Sequence, residues 1–348
     1  MKLLRTTLLH TILPATVLIV GAILIVLLDK SYIERVAYIF FANLVIVTGL
    51  QIFMGNSNVA NLGHITFAGI AAYVVAILHT PVAMKAAMIP DAPFGLAGIQ
   101  VGALPAAIIA LLITAAVALI TGLGLARLAG VAATIGTLAL LVIVHVIMVN
   151  WIPLTRGPRA FYGIPVVLSL PWAVGIAIVA VFIAKLYRES DAGIQLRASG
   201  DDPLAAKAMG VNVYRERLKA WVLSSVVVGA GGILYVLFIG TISPNSFYFN
   251  LTFLTVAMLI LGGMRSVSGA VTGTIVVAVG FELTRNLESG PTVLGIDLPE
   301  MFGLTGFFLG AVIVLSLAFR PSGLMGNDEW EEHGRRLIER WRSRKSGE

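Results

Sequence analysis

Hydrophobic residues along this chain gather into blocks separated by short polar turns. They run over Leu8–Leu28, Val36–Phe53, Ile65–Leu78, Val101–Ile120, Val131–Val149, Leu170–Leu186, Leu218–Ile242, Leu251–Leu261, Val271–Leu283 and Phe302–Phe319. A helix needs about 20 apolar residues to cross a hydrocarbon core about 30 Å thick, so the pattern predicts an all-α polytopic membrane protein with about ten transmembrane helices. The third, eighth and ninth blocks are shorter than about 17 residues, which suits tilted or re-entrant segments. An alternative of about eight spans, with the Leu251–Leu283 pair re-entrant, fits the same pattern.

One stretch breaks the rule. Between Val36 and Met84 there is no Lys, Arg, Asp or Glu, yet Gln51 to Thr66 is crowded with Gly, Asn, Ser and Thr at a point where a helix should be continuous. Irregular backbone at membrane depth is tolerated only where it is packed in protein or lines a wet cavity. Gly49 to Tyr73 is therefore the expected wall of a translocation path. Gln51, Asn56, Ser57, Asn58, Asn61, His64 and Thr66 are its expected lining, because so many amides and hydroxyls would be costly against lipid.

Composition agrees. With 58% hydrophobic and 12% charged residues and a mean hydropathy of +0.95, the chain lacks the polar surface a soluble protein needs. The net charge of +6 resides mainly in loops beside spans, where it sets orientation and meets anionic lipid, so nucleic-acid binding is not expected. Seven Lys or Arg lie between Lys185 and Lys219, and seven follow Phe319. Both segments, and an N-terminus carrying Lys2 and Arg5, are expected on the cytoplasmic side. The first block is too long for a cleaved signal and lacks a small-x-small cleavage site, so it reads as a retained span. Residues 1–319 form the expected permease region, and 320–348 a tail in which Trp330, Leu337, Ile338 and Trp341 alternate with Arg residues, suited to the inner membrane face. There is no Cys, which excludes disulfides and thiolate chemistry.

The loop 187–218 carries its own helix signals. Asp202 suits a cap, Pro203 the first helical position and Gly210 the left-handed residue after the last turn. A short helix over Pro203–Met209 follows, with Leu204, Ala205, Ala208 and Met209 on one side and Lys207 elsewhere. It is either a solvated loop with an amphipathic turn or a helix that docks in a groove of a cytoplasmic partner. The docking reading takes Asp201, Asp202, Pro203, Leu204, Ala205, Lys207, Ala208, Met209 and Gly210 as its contact set.

Other features have plain readings. Gly229, Gly231 and Gly232, the Gly269/Gly273 pair and the Gly306/Gly310 pair suit close helix packing. His64 and His145 lack companions at metal-ligand spacing, so structural hydrogen bonding is expected, with no metal and no catalytic residue. Glu282 and Arg285 can pair across one helical turn. No phosphate loop is present and no intramembrane acids could couple protons or sodium. The economical reading is a permease whose ATPases are separate polypeptides. Its rivals are a self-sufficient carrier or channel, and an intramembrane hydrolase using Ser57 and His64, which lacks a nucleophile elbow and an orienting acid.

The segment TGLQIFMGNSNVANLGHITFAGIAAY resembles the signature of the branched-chain amino-acid permease family of ABC importers, through Thr48-Gly49, Asn61-Leu62-Gly63-His64 and Phe67-Ala68-Gly69-Ile70-Ala71-Ala72-Tyr73. GLGLARLAGVAATIGTLAL, TRGPRAFYGIP, DDPLAAKAMGVNVYRERLKAWVLSS, GTISPNSFYFNLT, LILGGMRSVSGAVTGT and FRPSGLMG resemble blocks of its M-type subunit, in order. Asn61 stands where Ser is commoner, and TRGPRAFYG replaces a Gly-richer turn. The resemblance implies a type II ABC importer-like permease in a bacterial inner membrane, paired with a homologous H-type permease. It also implies two ATP-binding subunits that hold ATP and Mg, a periplasmic solute-binding protein, and no cofactor in this chain. Coupling loops of such importers often read Glu-Ala-Ala-x-x-x-Gly; here Leu204-Ala205-Ala206 and Gly210 match, and the Glu is absent.

Overall fold

The computed structural model describes residues 2–27, 31–290, 292–293, 296–297, 301–320, 322–326 and 328–330. Its helices are α1 (Lys2–Leu27), α2 (Ser31–Ser57), α3 (Ile65–His79), α4 (Val82–Met88), α5 (Ala103–Leu125), α6 (Gly130–Asn150) and α7 (Ile152–Thr155), then α8 (Leu170–Glu189), α9 (Asp191–Asp201), α10 (Pro203–Ala208), α11 (Val213–Ile239), α12 (Phe249–Gly262), α13 (Val267–Glu288) and α14 (Leu304–Phe319). Each apolar block of the sequence coincides with one of them. Among the described residues, 7 helices are long and apolar enough to cross a membrane, or 8 if the α3–α4 pair, bent by 115°, is one span. α1 and α14 add the shorter apolar stretches Thr11–Ile23 and Leu304–Ser316. The chain is an all-α polytopic membrane protein.

The three short blocks resolve differently. α3 has 15 residues and turns sharply into α4. α12 is extended by a 3-10 turn to make the 19-residue stretch Pro244–Gly262. α13 has 22 residues, enough for about 33 Å at about 1.5 Å per residue, so it is not a re-entrant half. The apolar block understated α13 because its first turns carry hydroxyls. Ser266 caps the helix through Gly269 N, while Thr272 and Thr274 donate to the carbonyls four residues back, so these polar groups are satisfied inside the helix.

The centre is an antiparallel pair, α2 against α11. Gly49 lies against Ser224 and Val228, Ile46 against Gly231, and Tyr38 stacks on Phe238 with ring centroids 3.8 Å apart. Around this pair sit α3, α5, α8, α12 and α13, with α1 on α8 and α14 against α12 and α13. Two helix pairs approach closely over glycines. A Cβ on Gly232 would lie 2.2 Å from the Ala68 carbonyl oxygen and one on Gly273 1.9 Å from that of Met258, so glycine is what lets α11 meet α3 and α13 meet α12. The Gly306/Gly310 pair is different: among the described residues nothing lies within 4 Å of the Cβ positions. α5 and α6 turn Leu112, Ile120, Val131 and Ile135 outward, as helices apolar all round do when lipid or another subunit covers them.

The charged segments collect at one end of the bundle. Thr7 donates to Glu189 across 2.6 Å, Arg188 pairs with Glu329, Arg265 bonds Asp201 at 2.7 Å, and Leu324 N donates to Leu261 O. The start of α1, the end of α8, α9, the α12–α13 turn and residues 322–326 and 328–330 therefore share a face. At the opposite end Tyr32 donates to Glu282, which also forms the expected bond with Arg285, at 3.0 Å. There Phe161–Tyr162 pairs antiparallel with Thr241–Ile242, and buried Lys85 donates to the carbonyls of Ile77, Leu96 and Ile99. Of the tail, Trp330 packs inward and donates its indole N–H to Thr272; Leu337, Ile338 and Trp341 lie outside the described residues.

Candidate functional site: the broken span and the loop helix

α2 stays helical to Ser57, further than its polar residues suggest. Thr48 Oγ1 and Asn56 Nδ2 donate to the carbonyls of Leu44 and Ile52, so both donors are satisfied within the helix. The break is confined to residues 58–64. Asn58 opens it with φ +54°, a left-handed conformation that Asn tolerates. Asn61 then accepts from Gly63 N at 2.8 Å and pairs through its amide with His64 Nδ1. α6 supplies the remaining partners: Leu62 N donates to Thr137 Oγ1, and Thr134 Oγ1 donates to the Ala60 carbonyl. The connection is thus tied to α6 through these hydroxyls.

Gln51, Asn56, Ser57, Asn61, His64 and Thr66 are all buried, between 0% and 2% exposed, whereas Asn58 is exposed. Asn61 and His64 line a closed crevice with Leu62, Thr252, Thr255 and Val256, too narrow for a water molecule. Asn56 and Ser57 face α9 instead. His64 sits among Phe53, Phe67 and Trp221, with centroids 4.6 to 5.7 Å away, and no group of three or more potential metal ligands occurs among the described residues. His145 stacks on Tyr248. Both amide atoms of Gln51, His64 Nε2 and Thr66 Oγ1 are buried with no partner among the described residues.

Sequence reasoning missed Thr252, Thr255, Thr134 and Thr137. Their signal was present as hydroxyls inside apolar blocks, but nothing local says which of them meets the break.

The second element is α10. Asp202 Oδ1 accepts from Leu204 N at 2.9 Å and Ala205 N at 3.0 Å, Pro203 starts the helix, and Gly210 at φ +87° ends it. Val211 N returns to the Ala206 carbonyl, closing the end in the manner of a glycine cap. The helix stops at Ala208, one position before the expected Met209. Only Ala206 points inward; Leu204 is 79% and Met209 84% exposed. Asp201 bonds Arg265, and Asp202, Pro203, Ala205, Lys207, Ala208 and Gly210 are exposed.

A helix bundle whose α2–α3 connection is closed by its own Asn and by α6 hydroxyls is common ground for many transporters, and the comparison with known proteins narrows it. The family described as branched-chain amino acid transport system / permease component matches residues 32–317. The chain belongs to that family. It is similar to the high-affinity branched-chain amino acid transport system permease protein LivM of Escherichia coli (strain K12), 24% identical over 311 residues, covering 80% of this chain and 66% of that protein. It is also similar to the probable branched-chain amino acid transport permease protein LivH of Methanocaldococcus jannaschii, 32% identical over 186 residues, covering 51% of this chain and 54% of the relative. A third is the nucleoside ABC transporter permease protein NupC of Lactococcus lactis subsp. cremoris, 29% identical over 151 residues, covering 43% and 46%. The chain thus spans just under two thirds of the LivM length. No solved structure matches it.

Proposed function

We propose that this chain is a permease subunit of an ATP-driven ABC importer for branched-chain amino acids or related small polar solutes, forming half of a translocation pathway with a homologous H-type permease. The observation that carries this reading is α10: a capped helix presenting Leu204 and Met209 at 79% and 84% exposure, next to α9 on the face that carries Arg188, Arg197 and Arg265. Exposed apolar anchors on a rigid short helix fit a groove in a partner. The partners are two ATP-binding subunits, which supply ATP and Mg, and a periplasmic solute-binding protein that selects the solute. The charged face is cytoplasmic in a bacterial inner membrane, with both termini on that side, and lipid covers the outward apolar faces. The similarity to a permease named for nucleosides supports a nucleoside as the second reading of the solute. Transport by the reconstituted complex tests the proposal: leucine uptake into proteoliposomes should require the ATPases and ATP, and uptake by this chain alone would replace it with a self-sufficient carrier.

The pathway assignment is checked by cysteine scanning, for which the Cys-free chain is suited. Cysteines at Gln51, Asn61, His64, Thr66 and Thr252 should react with a water-soluble thiol reagent in at least one nucleotide state of the complex, because the crevice must open for a polar solute to pass. Inertness in every state would make these residues a packing seam.

A further inference from the structure

α9 joins the loop helix to the connection between α2 and α3. Only Asp202 separates α9 from α10, and its side chain caps α10, so the two helices have no slack between them. At its other end Ser190 caps α9 by accepting from Gly193 N. Along its inner face Leu196 and Ser199 are buried. Arg197 Nη1 donates to Asn56 Oδ1 at 2.9 Å, in the last turn of α2, and to the Arg188 carbonyl at 2.7 Å, in the last turn of α8. One turn on, a Cβ at Gly200 would lie 3.0 Å from the Ser57 carbonyl oxygen and 3.2 Å from Asn58 Cβ, where the break begins.

We propose that Arg197 is the strut through which displacement of α10 is delivered to the α2–α3 connection at residues 58–64. This rests on the reading of α10 as the docking helix. A planar guanidinium holding two acceptors on two helices fixes orientation as well as distance, which an ammonium on a flexible stem does not. Arg197 acts on the pathway through Asn56 and the backbone at Ser57 and is a positioning residue. The close approach at Gly200 lets α9 press directly on the point where α2 ends, so α9 and the start of the break move as one body.

The test uses the full reconstituted complex and reads leucine taken up per ATP hydrolysed. Arg197→Ala should lower this ratio about tenfold, as loss of a charge-assisted contact implies, while ATP hydrolysis continues. Arg197→Lys, which retains the charge and a donor nitrogen but not the planar, rigid terminus, should fall between. A merely structural role would reduce uptake and hydrolysis together and leave the ratio at its wild-type value, which would overturn the proposal. Rescue supplies the second arm. In the Arg197→Ala background, Asn58→Cys with Gly200→Cys places two Cβ atoms close to the separation of a disulfide. Oxidation should restore the ratio and reduction should remove it again. Uptake blocked by the oxidised crosslink would show that α9 and the break must part, and would overturn the strut. A wild-type complex that assembles without ATP-dependent uptake would instead remove the proposed function, and the strut with it.

Discussion

Met209→Asp should abolish the stimulation of ATP hydrolysis by solute-loaded binding protein while leaving the permease inserted and folded. The isolated chain does not resist the change, since Met209 is 84% exposed and follows the last residue of α10. Docking resists it. A carboxylate carried into an apolar groove without a partner costs about 3–5 kcal/mol, which is about two to four powers of ten in affinity. Leu204→Asp, one helical turn away and 79% exposed, should behave alike, whereas Lys207→Ala should have little effect because Lys207 lies off the apolar side. The readouts are stimulated ATPase activity and co-elution with the ATP-binding subunits. Wild-type stimulation in both Asp variants would remove α10 from the interface.

How much of this was legible depended on how local each signal is. The apolar blocks record burial in lipid or protein and needed no partner to be read, and every one became a helix. Asn58, Asn61 and Gly63 punctuate the chain, so a break near them could be expected. Its breadth was misjudged because Gln51, Asn56 and Ser57 look like loop residues, yet Asn56 is satisfied by its own helix at the Ile52 carbonyl. α10 was readable because caps act over a few residues. α9 was not, since Arg197 meets Asn56 across 141 positions of sequence, and a lone Arg in a basic loop carries no mark of what it touches. The same blindness affected the tail. Asp328, Glu329, Glu331 and Glu332 form an undifferentiated acidic run in the sequence, but the fold draws Glu329 into the bundle.

Glu329→Gln should destabilise the purified permease by about 3 kcal/mol at neutral pH, toward the lower end of what breaking a buried ion pair costs. Glu329 is 7% exposed. It pairs with Arg188, lies 3.9 Å from Lys185 Nζ, and accepts from Val267 N and Ser268 N at 2.9 Å and from Ser268 Oγ at 2.5 Å. The carboxylate thus sits on the first turn of α13, where the helix dipole favours negative charge. Burial pushes its pKa up, but the Arg188 and Lys185 charges and the Ser268 donors outweigh that, holding it below the ordinary carboxylate value. With the folded-state pKa depressed, the stabilisation is complete above the unfolded value of about 4.3 and is lost as pH falls through the folded one. Wild-type thermal stability in detergent should therefore decline more steeply below about pH 4.3 than that of Glu329→Gln, which has no carboxyl to protonate at this position. Equal stability at pH 7, or parallel decline in acid, would show that Glu329 does not hold the segment in place. If it does, the consequence reaches the transport cycle: Arg188, whose carbonyl anchors Arg197, is positioned by the same carboxylate, so loosening Glu329 should weaken coupling through α9 as well as stability.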